Sequence, residues 1–147
     1  MNLSERLDSL ELIFLDTAVI IYFVEKNPEF FAKVQPIFSK LDDGSLTVVV
    51  SPITLAECLV LPYRGGNPEV AQIFSDLMVN NPSVLFLPID EIAADKAADL
   101  RARYNISLTD ALQIAVAIQS QCGAFVTNDL DLKRVSEIPI IVLSEVE

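Results

Sequence analysis

The stretch from Ser107 to Leu132, "SLTDALQIAVAIQSQCGAFVTNDLDL", decides the fold, because an almost wholly apolar middle lies between two acidic ends. Asp110 stands near its start, and Asp129 and Asp131 stand near its end. Local structure alone can explain why an acid stands at each of these positions. Ser107 and Asp110 resemble a capping box, an acid in the first turn complements the helix dipole, and "TNDLD" is typical of a polar turn. The rest of the chain must decide between a structural and a functional interpretation.

Length and composition predict one domain over residues 1–147 with a substantial core. The chain lacks the run of ~18 apolar residues that a membrane span requires. Its first segment, "MNLSERLDSLEL", lacks the apolar region of a signal peptide. Cys58 and Cys122 lie in apolar helical patterns, where a free thiol behaves as a small hydrophobe. We therefore expect a cytoplasmic protein with no membrane partner.

Histidine is absent from the sequence, and this absence excludes whole classes of active site. It removes the commonest general base, the Ser-His-Asp and Cys-His arrangements, and most zinc sites. Any catalytic metal must then be held by oxygen ligands. Such ligands favour Mg²⁺ or Mn²⁺, with Ca²⁺ as the alternative.

The net charge of −11, from 21 acids and 10 bases, gives the protein a field that does not attract nucleic acid. A nucleic-acid substrate would have to be held locally, by a basic patch or by bound cations. Most acids are interpreted as solvated surface. The same interpretation applies to four bases, Arg101, Arg103, Lys133 and Arg134.

Five short apolar segments are predicted as strands: residues 12–16, 45–51, 83–88, 124–127 and 139–143. Predicted helices lie between them, at residues 17–25, 27–44, 52–64, 68–81, 90–105 and 108 to about 121. In the second of these, Pro28 is expected near the start. Residues 1–11 are expected to form an added helix or tail. The alternation predicts an α/β three-layer sandwich, with a mainly parallel five-stranded sheet flanked by helices.

Acids follow several of the predicted strands, and functional sites of parallel sheets form beyond the carboxyl ends of strands. Asp16 ends the first strand, Glu57 lies in the helix after the second, and Asp129 follows the fourth. The helix that holds Asp110 is ~18 Å long, and the strand that returns beside it is ~16 Å long. Asp110 and Asp129 should therefore reach the same edge as Asp16 and Glu57.

Four carboxylates at one edge repel one another unless some are protonated or a cation neutralises them. No cluster of lysine or arginine adjoins them in the sequence. A divalent metal is the simplest neutralising group.

These segments resemble the PIN-domain ribonuclease family, including the VapC-like toxins of toxin–antitoxin pairs. The resemblance runs through "FLDTAVIIYFVE", "SPITLAECLVLPYRGGN", "SLTDALQIAVAI" and "FVTNDLDL". It implies a catalytic and metal-binding acidic quartet of Asp16, Glu57, Asp110 and Asp129. It also implies that the hydroxyls of Thr17 and Thr127 orient carboxylates, with Asn128 beside them. Asp131 is interpreted as a surface residue.

The resemblance further implies the activity and the partners. The activity is hydrolysis of RNA phosphodiester bonds with Mg²⁺ or Mn²⁺, where the cation activates a water and stabilises charge on the phosphate. The implied partners are the RNA substrate, a small antitoxin protein and a second copy of the chain as a homodimer.

Three other interpretations compete. A haloacid-dehalogenase-type phosphatase would use Asp16 as a nucleophile, but that pattern requires an aspartate at position 18, which is Ala18. A catalytically silent PIN-like module would bind a metal or a partner without cleaving RNA. A plain α/β domain would use its acids only as helix caps and turns.

Overall fold

A five-stranded parallel sheet forms the centre of the protein, in a computed structural model that describes residues 2–147. The strands are β1 (Leu12–Leu15), β2 (Thr47–Val50), β3 (Val84–Phe86), β4 (Ala124–Thr127) and β5 (Ile140–Val142). Their spatial order is β3-β2-β1-β4-β5, and every neighbouring pair is parallel. The predicted α/β class and five-stranded sheet are confirmed, and the sheet is wholly parallel over the described residues.

Seven α-helices accompany the sheet within residues 2–147. They are α1 (Leu3–Leu7), α2 (Thr17–Val24), α3 (Phe31–Asp42), α4 (Pro52–Arg64), α5 (Pro68–Val79), α6 (Glu91–Tyr104) and α7 (Leu108–Gln119). Two short 3₁₀ turns, Leu130–Arg134 and Leu143–Glu145, flank β5. In the described part of the chain, no helix combines the length and apolarity needed to cross a bilayer.

The two faces of the sheet are covered by different helices, which gives the predicted three layers. Ile13 and Leu15 of β1 pack on the side of α1 to α5, whereas Phe14 packs on the side of α6 and α7. Phe14 stacks on Phe125 of the neighbouring strand, with 5.1 Å between ring centroids. Burial on both faces explains why β1 reads as a continuous apolar run rather than an alternating one.

Several predicted helix boundaries differ from the structure, and two of these differences have a clear local cause. The second long helix begins at Phe31 rather than near Pro28, because Oδ1 of Asn27 accepts the backbone N–H groups of Glu29 and Phe30 and forms a turn first. The helix α7 ends at Gln119 rather than near Gln121, which has a left-handed φ of 62°. Neither shift moves an acid away from the edge of the sheet.

Residues 2–11 of the predicted N-terminal extension form part of the packed structure, while Met1 lies outside the described residues. The side chain of Asn2 caps α1 by accepting the N–H of Glu5 at 2.9 Å. Leu3 and Leu7 are buried to within 2% in the core cluster that includes α3. The extension therefore completes the outer layer on that face.

The role of α1 in the core can be tested by Leu7→Ala. Removing a fully buried leucine side chain should lower the free energy of unfolding by about 2–5 kcal/mol. Ile92→Ala, at a helical isoleucine that is 64% exposed, is the control and should change it by less than about 0.5 kcal/mol. Urea denaturation of both variants measures the difference, and equal effects would mean that α1 does not belong to the core.

Candidate active site

The carboxylate of Asp16 lies directly after β1 and caps α2. Its Oδ1 accepts the backbone N–H of Thr17 at 2.8 Å, which satisfies a donor of the first helical turn. The backbone N–H of Asp16 also donates to the carbonyl of Val126 at 2.9 Å, so the ladder between β1 and β4 extends to this residue. The side chain is only 9% exposed, and the carboxylate is therefore fixed at the sheet edge.

Two side chains from other elements also donate to Asp16. The hydroxyl of Thr127, at the end of β4, donates to Oδ2 at 2.7 Å. The side-chain amide of Gln113, on α7, donates to Oδ1 at 3.1 Å. With the N–H of Thr17, three donors from three elements hold one carboxylate, and they stabilise its charged form against burial.

Glu57 lies on α4, in the second turn after β2, and reaches the same edge. The hydroxyl of Thr17 donates to its Oε1 at 2.6 Å. Thr17 therefore contacts two acids at once, Asp16 through its N–H and Glu57 through its hydroxyl. The side chain of Glu57 is exposed, so its carboxylate faces the solvent side of the edge.

Asp110 and Asp129 both line a cavity of about 210 Å³, whose lining also includes Arg134. The hydroxyl of Ser107 caps α7 by accepting the N–H of Asp110 at 3.1 Å. The N–H of Asp129 donates to the hydroxyl of Thr127 at 3.1 Å. Thr127 thus links Asp129 to Asp16, and the structure brings the four acids to one edge of the sheet.

The electrostatics of the site show that these acids affect one another. The pKa of Asp16 is raised to about 6, mainly by burial and to a smaller extent by the charges of Asp110 and Glu57, while hydrogen bonds from Thr127 and Thr17 act in the opposite direction. Burial also raises the pKa of Asp110, the charges of Asp129 and Glu57 add to this, and Ser107 opposes it. Every charge that acts on these two pKa values is negative, so the edge attracts cations.

Gln113 was not among the residues predicted from the sequence. It is fully buried, and its Oε1 accepts the hydroxyl of Thr54 at 2.6 Å while its amide donates to Asp16. The signal that could have revealed it is a polar residue inside the apolar run "ALQIAVAI", one helical turn after Asp110. A buried amide at that position needs polar partners, and the nearest ones are those of the acidic edge.

Two further predicted residues lie beside the edge. Asn128 donates from its amide to the hydroxyl of Tyr22 at 3.1 Å and accepts the N–H of Ser144 at 3.1 Å. It joins α2 to the C-terminal turn, and its role towards the carboxylates stays a prediction. Asp131 is exposed and lies 3.5 Å from the guanidinium of Arg134, as an ion pair at the surface.

The donor set of the edge can be compared with what a divalent cation needs. Within residues 2–147, no group of three or more His, Cys, Asp or Glu side chains forms a ready-made metal cage. The carboxylates nevertheless fit a hard cation chemically, since oxygen is its preferred ligand. Mg²⁺ keeps several waters and commonly uses one or two carboxylates. The residues therefore fit Mg²⁺ or Mn²⁺ held partly through water, rather than a closed protein cage.

Comparison with known proteins identifies a family and a set of similar folds. A sequence model of the PIN domain matches residues 13–138. No curated protein sequence matches the chain.

Among solved structures, DNA-bound VapBC from Salmonella typhimurium is similar to the chain, with a TM-score of 0.70 at 21% identity, over 91% of this chain and 99% of that one. FitAcB from Neisseria gonorrhoeae gives 0.68 at 22% identity, with coverages of 91% and 99%. A Mycobacterium tuberculosis VapC toxin described as cleaving the sarcin–ricin loop gives 0.63 at 16% identity, with coverages of 77% and 86%. These structures share the fold of this chain.

The raised pKa of Asp16 predicts that the effect of Asp16→Asn on the stability of the metal-free protein becomes more favourable as the pH rises to neutral. A raised carboxyl pKa contributes stability that is fully present below about pH 4 and is lost as the pH rises through about 6. The shift from 3.8 to about 6 corresponds to about 3 kcal/mol. The free energy of unfolding of Asp16→Asn, relative to the unmodified protein, should therefore rise by up to about 3 kcal/mol between pH 4 and pH 7.

Urea denaturation in the presence of a chelator, at several pH values, measures this difference. Asp43→Asn is the control, because the side-chain and backbone groups of Ser45 hold the pKa of that exposed carboxylate below its ordinary value. The sign is then opposite: the Asp43 contribution is lost as the pH falls, so its asparagine variant should gain nothing at neutral pH. A difference for Asp16→Asn that does not change with pH would contradict the assigned burial.

Proposed function

The chain belongs to the PIN domain family, and we propose that it is an endoribonuclease that hydrolyses RNA phosphodiester bonds with Mg²⁺ or Mn²⁺. The observation that carries this proposal is the meeting of Asp16, Glu57, Asp110 and Asp129 at one edge, where burial and, to a smaller extent, neighbouring carboxylates raise the pKa values of Asp16 and Asp110. Repulsion disfavours the fully charged form of such a cluster, and a bound cation would relieve it. The chain has no histidine to catalyse RNA cleavage without metal.

The proposed roles follow from the contacts of each residue. Asp16 has the most constrained position and provides the central cation ligand. The carboxylates of Glu57, Asp110 and Asp129 bind the cation directly or through water. Thr127 and Thr17 hold Asp16 and Glu57 in place with bonds of 2.7 and 2.6 Å. An ionised carboxylate of the quartet accepts the proton of the attacking water. A bound divalent cation would activate that water and stabilise charge on the phosphate.

A catalytically silent PIN-like module is the second candidate, and one observation favours it. Within residues 2–147 the acids do not form a ready-made cage for a metal. In that case the edge would bind a cation weakly or not at all, and RNA would not be cut. The two candidates therefore differ in both cation affinity and cleavage.

The toxin of a toxin–antitoxin pair is the proposed biological setting, with an antitoxin protein and a second copy of the chain as partners. Its support is that a protein of similar fold from Klebsiella pneumoniae is described as a toxin–antitoxin complex, and that VapBC and FitAcB share the same fold. Large apolar side chains are also exposed on α4 and α5, including Leu61 (59%), Tyr63 (67%) and Ile73 (52%). Exposed apolar groups of this kind mark protein contacts when they are contiguous. We place the protein in the cytoplasm, where its two buried, free cysteines stay reduced.

The first prediction from this proposal concerns cation binding. Mn²⁺ should stabilise the folded protein, by about 2.7 kcal/mol when its concentration is 100 times Kd. Asp110→Asn should abolish most of this gain, although asparagine at that position leaves the Ser107 cap intact. Thermal melting with and without Mn²⁺, together with calorimetry, measures both quantities.

Asp131→Asn is the matched control, because it removes the same charge two residues from Asp129 at an exposed, ion-paired position. Its Mn²⁺ stabilisation should equal that of the unmodified protein. Equal losses in Asp110→Asn and Asp131→Asn would show only general attraction of cations to an acidic surface. The absence of any Mn²⁺ effect in the unmodified protein would favour the silent module.

The second prediction concerns the reaction. Purified protein should cut single-stranded or looped RNA in Mg²⁺ or Mn²⁺ and stop when a chelator is added. Attack by water, rather than by the 2′-hydroxyl of the RNA, should leave a 5′-phosphate and a free 3′-hydroxyl, as the family resemblance implies. Asp16→Asn and Glu57→Gln should lower the rate by at least about 100-fold, a loss of about 3 kcal/mol in transition-state stabilisation.

End-group analysis of the cleaved RNA provides the measurement. Cleavage that persists in chelator, or in both variants, would indicate a contaminating nuclease. A 2′,3′-cyclic phosphate end would exclude attack by water even if the protein proved to be a ribonuclease.

A further inference from the structure

A buried chain of hydrogen bonds runs from β2 to the carboxylate of Asp16. The backbone N–H of Ser51 donates to the hydroxyl of Thr54 at 3.1 Å, and that hydroxyl donates to Oε1 of Gln113 at 2.6 Å. The amide of Gln113 then donates to Oδ1 of Asp16 at 3.1 Å. Ser51, Thr54 and Gln113 are fully buried. Within residues 2–147 every buried side-chain nitrogen or oxygen has a partner, so the chain is complete.

The direction of this chain is fixed by its two ends. A backbone N–H can only donate and an ionised carboxylate can only accept. Because Gln113 turns its NH₂ to Asp16, its carbonyl faces Thr54 and accepts the proton of that hydroxyl. The side-chain amide of Gln113 has one orientation in which the hydrogen bonds to Thr54 and to Asp16 are both made. In this orientation, Gln113 is a donor to Asp16.

The donors on Asp16 are distributed unequally between its two oxygens. Oδ1 accepts from Gln113 and from the N–H of Thr17, whereas Oδ2 accepts only from Thr127. Each carboxylate oxygen offers two lone pairs. Oδ1 is therefore saturated by the protein, and Oδ2 retains one free lone pair.

We propose that Gln113 is a positioning residue which restricts Asp16 to binding a cation through Oδ2 alone, and thereby favours Mn²⁺ or Mg²⁺ over Ca²⁺. This inference rests on the proposed function, since it assigns the geometry of the same site. A carboxylate with both oxygens open can bind bidentately, which suits the larger Ca²⁺ with its six to eight ligands. A carboxylate with one oxygen occupied suits the octahedral shell of Mg²⁺.

The same chain connects the elements that carry the quartet. Thr54 lies one helical turn before Glu57 on α4, and Gln113 lies one turn after Asp110 on α7. A bond between Thr54 and Gln113 therefore sets the spacing of those two helices beside Asp16. Partners of this kind, which orient a ligand without touching the metal, commonly change metal affinity by 10–100-fold when they are removed.

The experiment measures Mn²⁺ and Ca²⁺ affinities by calorimetry on the folded protein. Gln113→Met keeps the length of the side chain and removes its donor and acceptor. It should weaken Mn²⁺ binding by about 10-fold or more, weaken Ca²⁺ binding less, and so narrow the preference for Mn²⁺. In RNA cleavage, kcat should fall while KM for RNA stays unchanged.

Gln119→Met is the matched control, because Gln119 lies on the same helix and also donates to a carboxylate, that of Asp90, at 3.0 Å on the exposed surface. It should leave both affinities unchanged. Thr54→Val is the second test variant, and it tests the same inference if Gln113→Met fails to fold. It removes the bond that orients Gln113 without touching Asp16, and should shift the Mn²⁺ to Ca²⁺ preference in the same direction by a smaller factor.

If a folded Gln113→Met or Thr54→Val protein binds both ions as tightly as the unmodified protein does, the inference is overturned. Gln113 would then be a core residue whose hydrogen bonds serve only the fold. A parallel loss for Mn²⁺ and Ca²⁺ would also overturn it, because general loosening of the site weakens both ions alike. Failure of the unmodified protein to bind either ion would reject the proposed function itself. That outcome is visible before any variant is compared.

Discussion

The buried carboxylate of Asp16 is the constraint on which the rest of the structure depends. A carboxylate removed from water is costly unless donors replace its hydration. Here the replacements come from the first turn of α2, from the middle of α7 and from the end of β4. These three elements must be in register for the charge to be tolerated. The contacts that join α2, α7 and β4 therefore also position the carboxylate of Asp16, so the fold and the site depend on the same hydrogen bonds.

The topology explains why the acids gather at this point. From β1 the chain adds β2 and β3 on one side, and then returns to the other side of β1 to add β4 and β5. Connections that leave β1 and β4 diverge, and a crevice opens beyond the ends of these strands, where sites of open α/β sheets form. A single residue separates β1 from α2, and a single residue separates β2 from α4. Such short connections keep Asp16 and Glu57 at the edge.

The sequence was enough to predict the strands, the parallel sheet and the edge at which the four acids meet. That success has a physical reason: a strand buried on both faces is an unbroken apolar run, and a polar residue that ends it marks the sheet edge. The hydroxyls of Thr17 and Thr127 came only from family resemblance, because a threonine beside a strand end has many other uses. The partners that each hydroxyl chooses depend on three-dimensional packing.

Gln113 shows where sequence reasoning stops. Its position in "ALQIAVAI" identifies a buried helix face, but nothing local specifies that the amide meets Asp16, 97 positions away. The predicted start of α3 is wrong for a different reason. Pro28 is compatible with a first helical turn, yet the side chain of Asn27 offers the following N–H groups a competing turn. Long-range partners and competing local turns are the two features that periodicity does not contain.

The proposed function requires RNA to be held in spite of the negative charge of the protein. Three of the four bases singled out in the sequence have partners. Arg103 bonds to Asp99 and Glu137, Lys133 bonds to Glu145, and Arg101 donates to the carbonyl of Ile106. Such exposed pairs contribute little to stability, but they reduce the positive charge open to a phosphate.

Arg134 also has partners, since it donates to the carbonyl of Tyr104 at 3.3 Å and lies 3.5 Å from Asp131, but it lines the cavity beside Asp110 and Asp129. With a net charge of −11, the protein repels RNA except where positive charge is concentrated. The acidic edge can supply that charge only by binding a cation. The same cation would then relieve the repulsion among the four carboxylates and the repulsion between the protein and RNA. In the proposed function, the clustered carboxylates are therefore needed for substrate binding, because they bind that cation.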